Sequence, residues 1–219
     1  MKIIPENISI EQEHISSINS FFKRFHVGTA LYRANARKLK GYSPLSIVLY
    51  IVQLVFKRIS MYRDSISGDK SVIDKSCDTV YRFMRSSSIN WNTFLYSVAA
   101  KVCEWVDSLT SEERLSALVI DDTICERRYS KKLELSSRIY DYSDKKYKRG
   151  FRSLFLGWTD GATFLPLAFR HMSSSNEKNR YCESRSGTDK RTCGAKAKKE
   201  AVMKSTDVAL RMLRDAKKY

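Results

Sequence analysis

The chain has 219 residues, of which 42% are hydrophobic and 11% aromatic, a composition that fits a globular protein with a sizeable core and excludes a disordered tail. Its 40 lysines and arginines outnumber 24 acidic residues and give a net charge of +16. An excess this large indicates a polyanionic partner, most simply nucleic acid, although a generally solvated basic surface is the alternative.

A membrane-bound or exported protein is not expected from this sequence. The longest apolar run, residues 45–56, is about half of the roughly 20 residues that a spanning helix needs. No signal peptide opens the chain, because a proline and acidic residues stand where its apolar core should be. The five cysteines include no CxxC pair, so we expect reduced thiols in a cytoplasmic protein and neither disulfides nor a zinc site.

Residues 1–112 are predicted to form an all-helical domain, which is a candidate for DNA binding. Ser43 and Pro44 give a helix-start signal in front of the apolar run, and residues 65–71 have the composition of a loop. The segments with apolar residues at helical spacing are 14–40, 44–61, 74–87 and 91–109.

The pattern changes at Leu115, and residues 113–219 are predicted to form a second domain that begins with a strand. Residues 117–120 (ALVI) are a short branched apolar run, typical of a buried strand that ends at Asp121. The order of the following elements is strand, turn, strand and then a helix. We therefore predict an α+β fold.

The later elements of this domain follow from turn and helix signals. Residues 150–174 contain two apolar runs on either side of Asp160 and Gly161, and Asp-Gly is a strong signal for a β-hairpin. Apolar residues near helical spacing predict a helix over residues 196–218.

The adjacent acidic residues Asp121 and Asp122, followed by Thr123, are the first candidate for a functional site. Two neighbouring carboxylates repel each other, so a cation would be needed to stabilise the pair. Magnesium prefers carboxylate oxygens, and pairs of such ions catalyse phosphoryl transfer. The alternative is a turn or helix cap formed by Asp122 and Thr123.

Two strongly basic segments are the candidates for contact with DNA. Residues 127–152 contain 10 basic and 3 acidic residues, and residues 178–199 contain 8 basic and 2 acidic residues. Basic side chains neutralise phosphates, and aromatic rings can stack on unpaired bases. The alternative is a solvated loop whose aromatic residues face the core. The predicted DNA-binding residues are Arg127, Arg128, Lys131, Lys132, Lys145, Lys146, Lys148 and Arg149. The interleaved aromatic residues are Tyr129, Tyr140, Tyr142, Tyr147 and Phe151.

Residues 119–175 resemble the first catalytic block of bacterial insertion-sequence transposases of the DDE, ribonuclease-H-like superfamily. In these proteins an apolar strand ends in the first catalytic aspartate, within an Asp-x-Thr setting. A hairpin similar to GFRSLFLGWTDGATFLPL (150–167) follows. Residues 189–213 also resemble the segment that leads into a helix of that family.

The resemblance implies specific roles for the acidic residues. Asp121 matches the first catalytic aspartate and a ligand of Mg²⁺ or Mn²⁺, and Thr123 matches the threonine two places later. Asp122 occupies the position that family members vary, which makes it a neighbouring supporting group or a cap. The implied activity is hydrolytic nicking at insertion-sequence ends, followed by strand transfer.

The resemblance also implies where the protein works and with which partners. The expected partner is double-stranded DNA, at insertion-sequence ends and target sites. A homodimer or a full-length transposase is the expected protein partner, with no membrane involved. The expected location is the bacterial cytoplasm, in association with the nucleoid.

The sequence departs from the family pattern in its catalytic set. The family's second aspartate, on a later strand, and its glutamate, on a later helix, have no counterpart in residues 1–219. We therefore expect an incomplete ribonuclease-H-like domain, the N-terminal portion of a transposase, that is inactive alone. The alternatives are a non-catalytic DNA-binding fragment or regulator of transposition, and a remnant without function.

Overall fold

The computed structural model describes residues 6–38, 40–66, 77–109, 114–185, 187 and 189–219. Two compact units, Met1–Ile89 and Asn90–Tyr219, make up the chain. The predicted domain boundary at residue 112 and most of the predicted loop at 65–71 lie outside the described residues. The division at 112 therefore stays a prediction. Within the described residues, no helix is long and apolar enough to cross a membrane.

The described part of the first unit is helical, as predicted. Ser43 caps its apolar helix by accepting a hydrogen bond from the Ser46 backbone N–H, and Pro44 is the first helical residue. Inside the unit, the buried Tyr50 hydroxyl donates a 2.7 Å hydrogen bond to Asp64, and burial raises the pKa of Tyr50. Its helices are α1 (Glu6–Arg24), α2 (Val27–Arg33), α3 (Pro44–Lys57), α4 (Met61–Ile66) and α5 (Cys77–Met84).

The second unit combines helices with a four-stranded antiparallel sheet, which confirms the α+β class. The hairpin predicted around Asp160 and Gly161 is confirmed, because β3 ends at Thr159 and β4 begins at Phe164. The elements of this unit are α6 (Trp91–Asp107), β1 (Ala117–Glu126), β2 (Ser137–Asp141), β3 (Lys146–Thr159), β4 (Phe164–Met172), α7 (Cys193–Ala201) and α8 (Ser205–Ala216).

The long strand β3 is the centre of the sheet. Along one edge it pairs with β1, and along the other it pairs first with β2 and then with β4. Gly150 lies where β1, β2 and β3 meet, with φ +156°, and a Cβ atom there would overlap the carbonyl oxygen of Cys125. The sheet therefore depends on a glycine at this crossing.

The main core lies between one face of the sheet and helices α6 and α8. Its buried residues come from β3, β4 and the two helices: Tyr96, Ala99, Leu154, Leu156, Leu167, Ala168, Met172, Val208 and Met212. At its margin the buried Arg170 of β4 donates to Glu200 of α7 and to Asn92 of α6. β4 and the helices around it are thereby fixed in one arrangement.

The single helix predicted over residues 196–218 is wrong, because the structure has two helices there. Ser173, just after β4, donates its backbone N–H to the carbonyl oxygen of Ala201 at 2.7 Å. In an unbroken helix this carbonyl would accept the N–H of Ser205. The tertiary hydrogen bond replaces that contact, so α7 ends at Ala201 and α8 begins at Ser205.

Candidate active site

The acidic pair lies in the middle of β1, on the outer edge of the sheet. Asp121 is opposite Phe155 of β3 and Asp122 is opposite Leu154, and the pairing with β3 continues as far as Glu126. The prediction that the strand ends at Asp121 is therefore wrong. The alternative of a turn or helix cap at Asp122 and Thr123 is also wrong, since both residues belong to the strand.

The predicted burial of residues 117–120 is wrong as well. Leu118, Val119 and Ile120 are 44%, 41% and 36% exposed. The reason is the position of the strand, because α6 and α8 pack over β3 and β4 and leave β1 uncovered. Among the described residues β1 pairs with β3 alone, so its outer edge is open.

Asp121 and Asp122 point to opposite faces of the sheet, because successive strand residues alternate. Asp122 shares its face with Leu154, which belongs to the core beneath α6 and α8. Asp121 projects from the other face together with Thr123. The two carboxylates are thus kept apart by the pleat of the strand, and each has its own surroundings.

Asp122 is neutralised within the sheet, whereas Asp121 is not. The carboxylate of Asp122 forms an ion pair at 2.9 Å with Nε of Arg152, and both side chains are 42% exposed. One oxygen of Asp121 accepts the backbone N–H of Asp122 at 2.8 Å. In the described part of the chain its other oxygen has no partner. Asp121 is therefore the carboxylate that can accept an incoming cation.

The face that carries Asp121 also carries an aromatic and imidazole row. Phe155, opposite Asp121, stacks on Phe169 with ring centroids 5.9 Å apart. Ser153, opposite Thr123, is fully buried, and its hydroxyl lies 2.7 Å from Nδ1 of His171. Burial and then the charge of Arg127 lower the pKa of His171. The face beside Asp121 is thus largely aromatic, with the imidazole of His171 next to it.

The contact between Ser153 and His171 is not predicted by the sequence. The Asp-Gly turn predicts their strands, and Thr159 opposite Phe164 would set the register. A continuous ladder from that pair would place Ser153 opposite residue 170. A β-bulge at Leu156 and Gly157 shifts the register by one residue and brings Ser153 opposite His171. The alternation of apolar and polar residues does not predict this bulge, so the register of β4 against β3 could not be read from the sequence.

The described residues do not by themselves complete a metal site. They contain no group of three or more His, Cys, Asp or Glu side chains that could hold an ion. Mg²⁺ is usually bound by one or two carboxylates together with water and substrate phosphates. Asp121 fits that pattern as one ligand, and further carboxylates would have to come from elsewhere.

The predicted DNA-binding residues fall into two groups at one end of the sheet. The first group follows β1 directly, and all of its members are exposed: Arg127, Arg128, Lys131 and Lys132. The second group, Lys145, Lys146, Lys148 and Arg149, lies in the β2–β3 hairpin and not in a loop. The groups are joined by a 2.7 Å hydrogen bond from the Arg127 backbone N–H to the carbonyl of Arg149.

Lys148 differs from the other predicted DNA-binding residues because it is already neutralised. Its ammonium group contacts Asp141 at 2.6 Å and Asp144 at 2.5 Å. The hydrogen bond to Asp141 raises the pKa of Lys148, and in return that contact lowers the pKa of Asp141. Lys145 and Lys146, which are exposed, are better placed to meet phosphates.

β1 thus presents the carboxylate of Asp121 at the edge of the sheet, next to the exposed basic residues that follow the strand. The family model of the DDE superfamily endonucleases matches residues 53–219, and the chain belongs to this family. The resemblance to the DDE superfamily found in the sequence is thereby confirmed. Endonucleases of this superfamily act on DNA and generally use divalent metal ions. None of the curated proteins and none of the solved structures matches the chain.

Proposed function

We propose that the chain carries Asp121 as the first metal-binding carboxylate of a DNA transposase that nicks insertion-sequence ends and transfers strands. The observation that supports this most is the difference between the two aspartates. Asp122 is engaged by Arg152, whereas Asp121 presents a carboxylate oxygen from a rigid strand with an open edge. Mg²⁺ or Mn²⁺ bound there would activate the attacking oxygen and stabilise the leaving one.

The proposal includes a ribonuclease-H-like fold for the catalytic domain. The four-stranded antiparallel sheet, with the acidic residues on β1 and with α6 and α8 packed on one of its faces, supports it. The open edge of β1 is where a further strand could pair and bring a second carboxylate next to Asp121. A second copy of the chain or a full-length transposase would be the protein partner.

A nicking assay tests the proposed activity. Because the described residues offer one open carboxylate, we expect no nicking of supercoiled DNA by the 219-residue chain with Mg²⁺ or Mn²⁺. Adding a polypeptide that supplies the further carboxylates, fused or in trans, should start nicking. Asp121→Asn should then abolish it, because the change removes the charge and keeps the shape. Asp122→Asn should reduce it by about 10- to 100-fold at most, as expected for a neighbouring group.

Two results of this assay would contradict the proposal. Metal-dependent nicking by the chain alone would show that a complete site already exists. If the completed enzyme still nicks DNA with Asp121→Asn, then Asp121 is not needed for the reaction.

The alternative function is a DNA-binding fragment or regulator of transposition that catalyses nothing. The absence of a three-carboxylate group among the described residues, together with the exposed basic residues beside β1, favours it. In this case the chain binds double-stranded DNA through phosphates, and the logarithm of affinity falls linearly with the logarithm of salt concentration.

The ion pairs of the β2–β3 hairpin give that binding a matched test. Lys145→Glu together with Lys146→Glu should weaken duplex binding about tenfold or more and flatten the salt dependence, with each lost phosphate contact changing the slope by about 0.9. Lys148→Gln should change the salt dependence less, since Asp141 and Asp144 already hold the Lys148 ammonium group away from phosphates. Fluorescence anisotropy at several salt concentrations measures both the affinity for the duplex and its salt dependence. If the double substitution and the Lys148 substitution had equal effects, the DNA would bind at a surface other than this hairpin.

A further inference from the structure

One face of the β2–β3 hairpin presents tyrosines and arginines in an alternating arrangement. Arg138 is opposite Arg149, and Tyr140 is opposite Tyr147, so these four side chains project from the same face. Tyr181 lies beyond β2, in a segment joined to it by the Ser137–Arg180 bridge. We call this surface the tyrosine–arginine face: Arg138, Tyr140, Tyr142, Tyr147, Arg149 and Tyr181.

The rings and guanidinium groups of this face are already stacked. The Arg138 guanidinium lies 3.7 Å from the centroid of the Tyr147 ring, and that of Arg149 lies 4.4 Å from the centroid of Tyr181. Tyr140 meets the edges of Tyr142 and Tyr147 at centroid distances of 5.0 and 5.1 Å. These contacts hold the flat groups in place before any partner arrives, which lowers the entropy cost of binding.

The same rings are exposed to an extent that packing of the hairpin alone does not require. Tyr142 is 76% exposed, Tyr147 is 60% and Tyr181 is 50%. Exposed aromatic residues that lie together mark interaction surfaces more often than rings scattered singly. The tyrosine–arginine face is therefore a candidate binding surface and not a part of the core.

The charge of this face differs from that of the reverse face of the same hairpin. On the reverse face Lys148 is neutralised by Asp141 and Asp144. Within the described ranges, neither Arg138 nor Arg149 has a carboxylate partner. Two uncompensated cations among exposed rings are complementary to a ligand that is both anionic and flat.

We propose that the tyrosine–arginine face binds unpaired nucleobases of single-stranded DNA. Rings stack on base faces without regard to sequence, while guanidinium groups meet the phosphates between bases. An intact duplex hides its base faces, so this surface would select separated strands. The inference rests on the proposed function in one respect, that the substrate is DNA, and it is independent of Asp121 and of metal ions.

The test compares ligands that differ only in their bases, using the full chain in the presence of a chelator. Anisotropy would be measured with a polythymidine oligonucleotide, an abasic oligonucleotide of equal length, and a duplex. We expect polythymidine to bind about tenfold or more tighter than the abasic strand, as stacking of one or more bases predicts. Asp121→Asn should leave this preference unchanged. A failure of the single-strand binding inference can therefore be told apart from a failure of the nicking proposal.

Substitutions in the face locate the binding surface. Tyr142→Ala with Tyr147→Ala should remove the preference for polythymidine and leave abasic binding unchanged, whereas the matching pair of Phe variants should keep it. Tyr62→Ala is the control, because Tyr62 is 71% exposed on α4 in the other unit. Melting curves would verify that each variant is folded.

Several results would overturn the inference. Equal affinity for the thymidine and abasic strands would show that bases are not bound. Loss of the preference in the Phe variants would assign binding to the hydroxyl groups. Competition by polyglutamate as effective as that by polythymidine would make this a site for acidic peptides.

Discussion

β1 and β3 are paired over ten residues, yet they differ in burial and in position within the sheet. β3 is the central strand, and its Leu154 and Leu156 lie in the core beneath α6 and α8. β1 is just as apolar at residues 117–120 but is exposed along that stretch. The difference shows that position in the sheet, and not composition, decides burial. A strand at the edge can hold charged groups in fixed positions without desolvating them.

The largest expected difference between the strands is in stability, and a directly opposed pair of residues measures it. Leu156→Ala should lower the free energy of unfolding by about 2–5 kcal/mol, because Leu156 is fully buried. Ile120→Ala, directly across the ladder and 36% exposed, should cost about 1 kcal/mol or less. Tryptophan fluorescence during urea unfolding is suitable, since Trp91, Trp105 and Trp158 all belong to the second unit. Equal costs would mean that β1 is covered in solution.

The smaller expected effect concerns the imidazole of His171, which projects from the same face of the sheet as Asp121. The pKa of His171 is below its ordinary value of 6.5 in the folded chain, chiefly because of burial. The unfolded chain therefore binds more protons between the two pKa values, and the second unit should lose stability as pH falls through about 6.5. Because the His171 side chain is nevertheless exposed, solvent screening keeps its contribution well below the limit of about 1.4 kcal/mol per pH unit for one group. His171→Gln should flatten this dependence, as followed by urea unfolding from pH 7 to pH 5. An unchanged slope would assign it to other groups.

Local signals in the sequence predicted the elements whose cause is local. The capping Ser43 and the following Pro44 fixed the start of α3, and Asp160 with Gly161 fixed the turn between β3 and β4. In that turn Asp160 accepts the backbone N–H groups of Ala162 and Thr163, which a short polar side chain does regardless of the rest of the fold.

The features that the sequence did not predict have causes far away along the chain. The break between α7 and α8 depends on a hydrogen bond from Ser173 to Ala201, and the neutralisation of Asp122 depends on Arg152 in another strand. The stacking of Arg149 on Tyr181 is likewise a contact between separate segments. None of these has a signal in the neighbouring residues. The acidic pair could be found from the sequence, but its division into one open and one engaged carboxylate required the sheet register.

Manganese titration of the isotope-labelled 219-residue chain tests the role of Asp121 most directly. Mn²⁺ broadens the NMR signals of nearby amides, and the account predicts broadening centred on Asp121 and Thr123, with an affinity of about millimolar because one carboxylate gives a poorly preorganised oxygen site. Asp121→Asn should abolish the broadening, and Asp122→Asn should leave it nearly unchanged because Arg152 already engages that carboxylate. Broadening that persists in Asp121→Asn, or that centres on another part of the chain, would contradict the account.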